Sequence, residues 1–249
     1  MDEMWWTYFL VGMAAQLVDG ALGMAFGVTA TSLMLTFGTP PAVASALTHI
    51  AEVFTTGASG VSHYFNRNID WSLVRRLAVP GVVGGIVGAT ILSHVDGKTI
   101  APFVAGYLVI MGLVILVRAL RGAPTGAADG RGMPVTGFAG GLLDAIGGGG
   151  WGPIVTSTLI GTGHVPRYVI GSVNLTEFFV TVATTTTFFV LLKLADLSAV
   201  IPLVLGGLVV APFAGFLTRL IPARPMMVLV GALVLVLSGR TLLKSLGLL

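Results

Sequence analysis

The sequence GLLDAIGGGGWGP, at Gly141–Pro153, decides how this chain is built. Four successive glycines do not continue a helix, because each costs about 1 kcal/mol relative to alanine in a helix interior. Pro153 suits the first turn of a new helix, where the backbone N–H that proline lacks has no intrahelical partner anyway. The stretch therefore predicts a helix that stops and restarts, with one acid, Asp144, just before the break.

The surrounding composition is that of a membrane protein. Of the 249 residues, 55% are hydrophobic and 9% are charged, and the mean hydropathy is +0.97. Soluble domains carry about 25% charged residues, which they need to cover a water-facing surface. Apolar runs of about 18 residues or more recur along the chain and predict membrane-spanning helices. We therefore expect an all-α polytopic protein of the prokaryotic cytoplasmic membrane.

Other classes of protein are disfavoured by what the sequence lacks. There is no cysteine, so disulfides, thiol catalysis and cysteine-bound metals are ruled out. No cluster of Lys and Arg alternates with aromatic residues, which argues against nucleic-acid binding. No Gly-x-Ser-x-Gly, His-Glu-x-x-His or Walker motif occurs, so we expect neither an enzyme nor a cofactor. The acidic N-terminus does not resemble a cleaved signal peptide, and the first apolar segment is expected to be retained.

The chain contains two related halves, on either side of a polar stretch at 121–132. Each half predicts a broken or re-entrant helix pair plus three transmembrane helices. A shift of the first half by 125 positions places acids on acids and the glycines of one break on those of the other. The matched pairs are Asp19 and Asp144, Gly23 and Gly148, Gly27 and Gly152, Thr31 and Thr156, Ser32 and Ser157, and Glu52 and Glu177. We interpret 1–120 and 133–249 as two homologous repeats, joined by a cytoplasmic linker at 121–132.

The relative orientation of the two repeats depends on how often each crosses the membrane. The positive-inside rule does not decide it, because Lys and Arg divide nine to four in both the inverted and the parallel layout. The second segment of each half is too short to span a core of about 30 Å at 1.5 Å per residue. This shortness favours re-entrant hairpins and inverted repeats, with one broken span and parallel repeats as the alternative.

Four acids lie within apolar segments, and they form two repeat-related pairs. They are Asp19, Asp144, Glu52 and Glu177, whereas all thirteen Lys and Arg lie in loops or near segment ends. A carboxylate in a bilayer costs about 2.5 kcal/mol or more, so each acid is a functional candidate. Buried carboxyl groups without a basic partner tend to hold a proton, which favours a proton-coupling role. Alternatively, Asp19 and Asp144 cap backbone N–H groups at the breaks.

Polar residues accompany the two glutamates at helical spacing. His49 precedes Glu52 by three residues, and Asn174 precedes Glu177 by three, so each pair shares a helix face. Imidazole exchanges protons near neutral pH, so His49 is a candidate to assist proton transfer, or else an ordinary hydrogen-bonded interior histidine. A metal site built on His49 is disfavoured, because the second half has Asn174 in its place, and we expect no metal.

The short helices that begin after the breaks are candidate anion sites. A helix N-terminus at membrane depth presents unpaired N–H groups and the positive end of a helix dipole. Two such N-termini facing each other would bind an anion without Lys or Arg, unless the glycines serve only close packing. The candidate substrate-binding residues are Gly23, Gly27, Thr31, Ser32, His49, Gly148, Gly149, Gly150, Trp151, Gly152, Thr156, Ser157 and Asn174.

The pattern resembles the TauE/SafE family of sulfite exporters and sulfonate permeases. The motifs that carry the resemblance lie at Gly141–Pro153, Thr158–Gly161, Gly171–Asn174 and, more loosely, Gln16–Gly27. The first-half copy departs from the second, with Met24 and Ala25 where the second half has glycine. The resemblance covers essentially the whole chain. It implies transport of small sulfur oxyanions or organosulfonates such as sulfite or sulfoacetate.

These observations predict a secondary transporter of a small anion that is coupled to protons. Its substrate site is expected between the repeats at the membrane midplane, with access alternating between the two sides. A passive anion channel is the alternative, because a channel and a carrier share this site chemistry. The expected partners are the anionic substrate, protons and the lipid bilayer, with no nucleic acid and with homo-oligomerisation left open.

Overall fold

The computed structural model describes residues 3–121, 132–193, 198, 200–214, 216, 220 and 222–249, and this part of the chain is helical without strands. The first half contains α1 (Glu3–Leu22), α2 (Phe26–Thr36), α3 (Pro41–Phe65), α4 (Trp71–His94) and α5 (Gly97–Arg121). The second half contains α6 (Met133–Gly147), α7 (Ser157–Gly161), α8 (Pro166–Leu192), α9 (Val200–Val210) and α10 (Ala223–Ser245). A π-helical turn at Gly152–Thr156 leads into α7, and a 3-10 turn at Ala211–Phe213 follows α9. Most of the predicted linker at 121–132 lies outside the described residues.

Both predicted helix breaks are present in the structure. Between α1 and α2, Gly23 and Ala25 adopt φ angles of 64° and 99°. After α6, Gly148 and Gly149 adopt φ angles of 65° and 150°. A side chain is strained at such angles, and glycine is not. The glycine run in the second half therefore permits the reversal of the chain that follows α6.

Each broken helix pair folds back on itself as a hairpin. In the first hairpin, the ring of Tyr8 on α1 meets that of Phe37, directly after α2, with 6.2 Å between the centroids. In the second hairpin, Met133 at the start of α6 and Leu159 in α7 belong to one apolar cluster. The two breaks therefore form the tips of the hairpins.

The two hairpins enter from opposite ends of α5. Leu35, near the end of the first hairpin, lines a cavity with Lys98 at the start of α5. Ile160, near the end of the second hairpin, lines a cavity with Arg118 in the last turn of α5. Because the hairpins approach from opposite directions, their tips meet in the interior of the molecule.

The long helices α3 and α8 cross the interior side by side and run antiparallel. Ser59, late in α3, donates a hydrogen bond of 2.8 Å to Asn174, early in α8. His49, earlier in α3, lies 6.0 Å from the ring of Phe188, near the end of α8. These two helices carry both buried glutamates and present them to the hairpin tips.

The remaining helices pack in a reciprocal pattern. α4 packs against α6 and α8, α9 packs against α1 and α3, and α5 packs against α10. The pairing of α4 with α6 relies on glycine, because a Cβ at Gly84 or Gly88 would collide with backbone oxygens of Phe138 or Leu142. Close approach of this kind is a common way for membrane helices to pack without a hydrophobic driving force.

The outward surface of the bundle is apolar. On α4, for example, Val79, Val83 and Ile86 are exposed. Within the described residues, four helices are long and apolar enough to cross a membrane, namely α4, α5, α8 and the Met227–Ser245 part of α10. Exposed aliphatic side chains on such helices suit contact with lipid. The chain therefore has the architecture of an integral membrane protein.

Candidate functional site

Asp144 caps the broken end of the second hairpin. Its Oδ1 accepts hydrogen bonds from the backbone N–H groups of Gly150, at 2.7 Å, and Trp151, at 3.0 Å. Its main-chain oxygen accepts a bond of 3.1 Å from the N–H of Gly149. The N–H groups of Gly150 and Trp151 are the unpaired groups that the start of the next helical turn exposes, whereas the Gly149 bond closes the end of α6. Asp144 therefore caps backbone N–H groups at the break, as the alternative interpretation of the sequence expects. Capping does not conflict with a proton-coupling role.

Asp19 has the same relation to the first hairpin tip. Its main-chain oxygen accepts a hydrogen bond of 2.6 Å from the N–H of Gly23. Its carboxyl group accepts one from the N–H of Phe26, the first residue of α2. The second carboxyl oxygen, Oδ2, is buried and has no hydrogen-bond partner among the described residues. Asp19 thus keeps an unused acceptor at the centre of the molecule.

The two hairpin tips are joined by a reciprocal pair of hydrogen bonds. The hydroxyl of Thr156 donates to the main-chain oxygen of Gly23 at 2.7 Å. The hydroxyl of Thr31 donates to the main-chain oxygen of Gly148. Each bond therefore joins a threonine after one break to a glycine in the other. Main-chain oxygens of both breaks are therefore satisfied by the opposite half, as buried backbone groups require.

The backbones of the two tips touch, and glycine makes this contact possible. A Cβ added to Gly27 would stand 2.6 Å from the Cα of Gly149. A Cβ added to Gly152 would stand 2.4 Å from the Cα of Met24. We call this region, where 23–27 meets 148–152, the glycine crossing. It brings together the predicted glycines Gly23, Gly27, Gly148, Gly149, Gly150 and Gly152.

His49 connects α3 to Asp144 at the glycine crossing. Its Nε2 lies 3.2 Å from Asp144 Oδ2, and both side chains are fully buried. Its Nδ1 lies 2.8 Å from the main-chain oxygen of Ser45, which only accepts, so Nδ1 carries a hydrogen. If the ring is neutral, Nε2 carries no hydrogen, so the carboxyl group of Asp144 must be protonated and donate to Nε2. If the ring is charged, Nε2 carries the hydrogen and donates it to Asp144. In either arrangement one proton lies between His49 and Asp144.

Glu52 and Glu177 complete a cluster of four acids. Each of the four acids is at most 4% exposed, and their carboxyl groups interact electrostatically with one another. Glu52 Oε1 would lie 2.8 Å from a Cβ at Gly27, which places it against the crossing. Oε2 of Glu52 and Oε2 of Glu177 are buried without a hydrogen-bond partner in the described part of the chain. The cluster therefore holds unused acceptor atoms that a proton or another cation would satisfy.

Two acids of this cluster, together with His49, also have the spacing of cation ligands. His49, Glu52 and Asp144 each offer one ligand atom, and the three atoms lie within 4.8 Å of one another. Nitrogen and carboxylate oxygen atoms at this spacing can share a proton or surround a small cation. Sequence reasoning disfavoured a metal because the second half has Asn174 instead of histidine. In the structure the three groups come from both halves, with His49 and Glu52 from the first and Asp144 from the second.

Asn174 lies close to the glycine crossing but does not repeat the bonding of His49. Its Oδ1 accepts from the Ser59 hydroxyl at 2.8 Å, and its Nδ2 donates to the main-chain oxygen of Ile170 at 3.1 Å. Nδ2 would lie 3.4 Å from a Cβ at Gly23. Asn174 is therefore held by α3 and its own helix, whereas His49 is held by an acid of the opposite half.

Three other predicted site residues point away from the crossing or into packed surroundings. The indole of Trp151 is fully buried and donates to the main-chain oxygen of Val173 at 3.3 Å. Ser32 shares a hydrogen bond of 2.8 Å with Ser238 on α10. The hydroxyl of Ser157 is buried without a partner in the described residues. At Trp151, it is the backbone N–H that faces Asp144.

Sequence reasoning missed Ser45, Tyr107 and Gln16. Ser45 lies four residues before His49 and donates to Ala145 O at 2.6 Å, so helical spacing could have found it. Gln16 lies three residues before Asp19, and its buried amide has no partner among the described residues. The hydroxyl of Tyr107, on α5, lies against Gly150 and is likewise unpartnered there. Nothing in the sequence places α5 beside the second break.

Comparison with known proteins agrees with this architecture. The chain matches the family model described as Sulfite exporter TauE/SafE over residues 8–241. It is 40% identical over 249 residues to "Probable membrane transporter protein YtnM" of Bacillus subtilis (strain 168), covering 96% of this chain and 83% of that protein. It is 33% identical over 112 residues to "Probable membrane transporter protein YunE" of the same organism, covering 43% of this chain and 41% of that protein. No solved structure matches it.

The family match spans nearly the whole chain, including both hairpins and the helices that carry the buried acids. YtnM, named as a membrane transporter, aligns along almost the same length. This chain is therefore an integral membrane protein and belongs to the sulfite exporter TauE/SafE family of transporters.

Proposed function

We propose that the chain is a proton-coupled secondary transporter of a small anion, built from two inverted repeats whose hairpin tips form the substrate site. The observation that carries the proposal is the glycine crossing, where two helix starts meet in the interior and each is capped by a buried aspartate. Helix starts attract anions, whereas aspartates attract protons. A site that combines both is suited to bind an anion together with a proton.

Reciprocal contacts support the inverted repeats. Thr31 and Gly148 correspond to Thr156 and Gly23 at a shift of 125, and both pairs are hydrogen-bonded. The equivalent helices α3 and α8 run antiparallel, and the hairpins enter from opposite ends of α5. In transporters with inverted repeats, substrate sites lie between the repeats and near the bilayer midplane.

Asp144 provides the proposed link between proton and anion. While its carboxyl group is charged, it occupies the N–H groups of Gly150 and Trp151 and repels an incoming anion. Protonation removes that charge and weakens these two hydrogen bonds, so an oxygen of the substrate can compete for the same N–H groups. Proton binding and anion binding therefore favour each other, which is the requirement for symport.

The proton has a defined position next to Asp144. His49 and Asp144 share one proton, and an oxygen of Glu52 lies within 4.8 Å of the atoms that share it, so a small side-chain movement would bring Glu52 within reach of the proton. Rearrangement of this proton would change the charge at the second hairpin tip without moving the backbone. Asp19 and Glu177 would hold a proton at the first hairpin tip through their unpartnered oxygens, without a shared histidine.

The proposed substrate class is sulfite or a small organosulfonate such as sulfoacetate. The family description names a sulfite exporter. Oxyanions of this type present several acceptor oxygens to a ring of N–H donors, and the crossing supplies such donors without a fixed positive charge. A small anion also suits a site enclosed by two backbones that touch.

Uptake into proteoliposomes tests the proposal. We expect sulfite or sulfoacetate to enter vesicles faster when an inward proton gradient is imposed, and a protonophore should abolish this effect. A sodium gradient at constant pH serves as the second arm, because the His49, Glu52 and Asp144 atoms are also spaced to hold a cation. Uptake that ignores both gradients would contradict a coupled carrier.

Counterflow separates the carrier from the passive channel. A carrier exchanges labelled for unlabelled substrate faster than it performs net uptake, because its site returns loaded. A channel shows no such stimulation by substrate on the opposite side. The close contact of the two backbones at the glycine crossing, at Gly27 with Gly149 and at Gly152 with Met24, favours the carrier.

A further inference from the structure

An arginine-lined cavity of about 460 Å³ lies at the end of α5. Its cationic residues are Arg118 and Arg121 from the last turn of α5 and Arg224 from the first turn of α10. No acid belongs to its lining among the described residues. A concentration of three guanidinium groups without a lining acid produces a positive potential inside the cavity.

The inner wall of this cavity belongs to the glycine crossing. Met24, which contacts Gly152 at the crossing, lines the cavity, as does Ile170, which contacts Gly23. A solute in the cavity would therefore be separated from the first hairpin tip by a single layer of side chains. This position distinguishes the three arginines from arginines that merely flank membrane helices.

The guanidinium groups of the cavity have no protein partners in the described structure. In that part of the chain, the pair His49–Asp144 is the ion pair present, and none involves the three arginines. Arg118 is partly buried, so water satisfies it less fully than it satisfies a surface arginine. Guanidinium groups bind planar or tetrahedral oxyanions in a bidentate manner, which makes them suited to sulfonate, sulfite and phosphate groups.

A second cavity, of about 750 Å³, lies at the opposite end of α5 and is the counterpart of the first. A shift of 126 positions relates Lys98 to Arg224 and Arg118 to Lys244. The two arginines of these pairs line the first cavity, and the two lysines line the second. The two cavities are about 30 Å apart along α5, at 1.5 Å per residue. The second cavity also contains Asp96, so its lining has two lysines and one acid instead of three arginines.

We propose that the arginine-lined cavity is an anion-binding vestibule, which holds the sulfonate or sulfite group of the solute before it reaches the glycine crossing. This inference rests on the proposed function, because it assigns the cavity to the same transport path. A phosphate group of an anionic lipid offers the same oxyanion chemistry. The solute is the assigned occupant because the cavity continues to Met24 and Ile170 at the crossing. The difference in lining predicts that this end binds anions more tightly than the lysine end.

Local protection from alkylation tests the vestibule without relying on transport. The chain has no cysteine, so the variant Leu120→Cys places a single thiol in the cavity wall. We expect sulfoacetate to slow alkylation of this thiol in the purified full-length protein, and a neutral sulfone of similar size to have no effect. Adding Arg118→Gln or Arg224→Gln should raise the concentration for half-protection at least about tenfold, the usual effect of losing a charged hydrogen-bond partner.

Matched controls make the result decisive. Arg76→Gln removes the same charge from an exposed residue outside the cavity, and it should leave half-protection within about twofold. A thiol at the lysine end, introduced by Ala101→Cys, should need more sulfoacetate for protection. Equal effects of Arg76→Gln and Arg118→Gln would overturn the proposal, as would protection by phosphatidylglycerol but not by sulfoacetate. Protection without any vesicle uptake would leave the vestibule standing and refute the transport function instead.

Discussion

The two hairpin tips share a backbone arrangement but differ in how they hold a proton. At the second tip, Asp144 is bonded to His49 across the halves, and one proton lies between them. At the first tip, Asp19 keeps an unpartnered oxygen among the described residues, and Asn174 is bonded to Ser59 instead. The comparison teaches that a shared scaffold of glycines and threonines can carry two different acid sites. Among the described residues, the second tip is the one whose aspartate is hydrogen-bonded to a histidine side chain.

The largest expected effect concerns the backbone that the second tip depends on. Gly149 has a φ of 150°, and a Cβ there would collide with the backbone of Gly27 and Val28. We expect Gly149→Ala to destabilise the protein by roughly 3 kcal/mol or to prevent folding. Thermal unfolding of the purified protein in detergent measures the effect. Gly106→Ala is the control, because a Cβ there meets nothing described within 4 Å, and it should be neutral or slightly stabilising.

The next largest effect separates the two capping acids. Asn in place of Asp144 still accepts from Gly150 and Trp151 but holds no exchangeable proton. We expect Asp144→Asn to lower proton-driven uptake by about 100-fold, as is typical for the loss of a proton-transferring group. Asp19→Asn should have a smaller effect, because Asp19 has no histidine partner.

Substrate counterflow at constant pH is measured for the same variants beside proton-driven uptake, because counterflow needs no net proton movement. Asp70→Asn is the matched control, because Asp70 caps the start of α4 through Ser72 at the surface. Equal losses in Asp144→Asn and Asp19→Asn would show that the two tips do not differ in their proton chemistry.

The variant His49→Asn gives the first half the residue that the second half has. It removes the proton shared with Asp144, so stimulation of uptake by a proton gradient should fall about tenfold, in line with the loss of one charged hydrogen bond. Counterflow should change much less. Initial rates over a range of external pH provide the measurement. A variant that keeps the full response to pH would remove His49 from the coupling mechanism.

The smallest effect tests the part that the two tips have in common. Thr31→Val and Thr156→Val each remove one of the two reciprocal hydrogen bonds and keep the shape of the side chain. Thr31→Val also removes the 2.9 Å hydrogen bond between the Thr31 and Thr48 hydroxyls, so the double variant Thr31→Val with Thr48→Val is compared with Thr48→Val alone. Loss of each reciprocal bond should cost about 1 kcal/mol, or roughly 2–4 °C in the unfolding temperature. Thr136→Val, which removes an exposed bond to Gly132, should cost less. A large difference between the Thr31 and Thr156 variants would argue against an equivalent role in the two halves.

Sequence reasoning located the parts of this site that are local along the chain. Glycine and proline chemistry places the breaks, and the position of Asp144 directly before its break anticipates a cap. The pairing of His49 with Asp144 joins residues 95 positions apart, and no local pattern encodes it. The same holds for Tyr107, which reaches Gly150 only because α5 packs beside the second hairpin.

Loop charge did not decide the orientation of the halves, for a physical reason, and only the shortness of the second segments favoured inversion. Lys and Arg divide equally well for inverted and parallel layouts, so loop charge carries no information about the direction of the second half. Contacts between α3 and α8 show that these two helices run antiparallel, which supports the proposed inverted layout. The arginine-lined cavity was missed for the same reason, since its cations come from the ends of two different helices.

The most direct test of the account is whether a proton gradient alone concentrates the anion. Vesicles containing the purified protein would be equilibrated with labelled sulfoacetate or sulfite at equal concentration inside and outside, and the external pH would then be lowered. The account predicts accumulation above the external concentration, lost with a protonophore and absent in Asp144→Asn. Equal internal and external concentrations of both anions after the pH step, with counterflow intact, would contradict proton coupling at the glycine crossing.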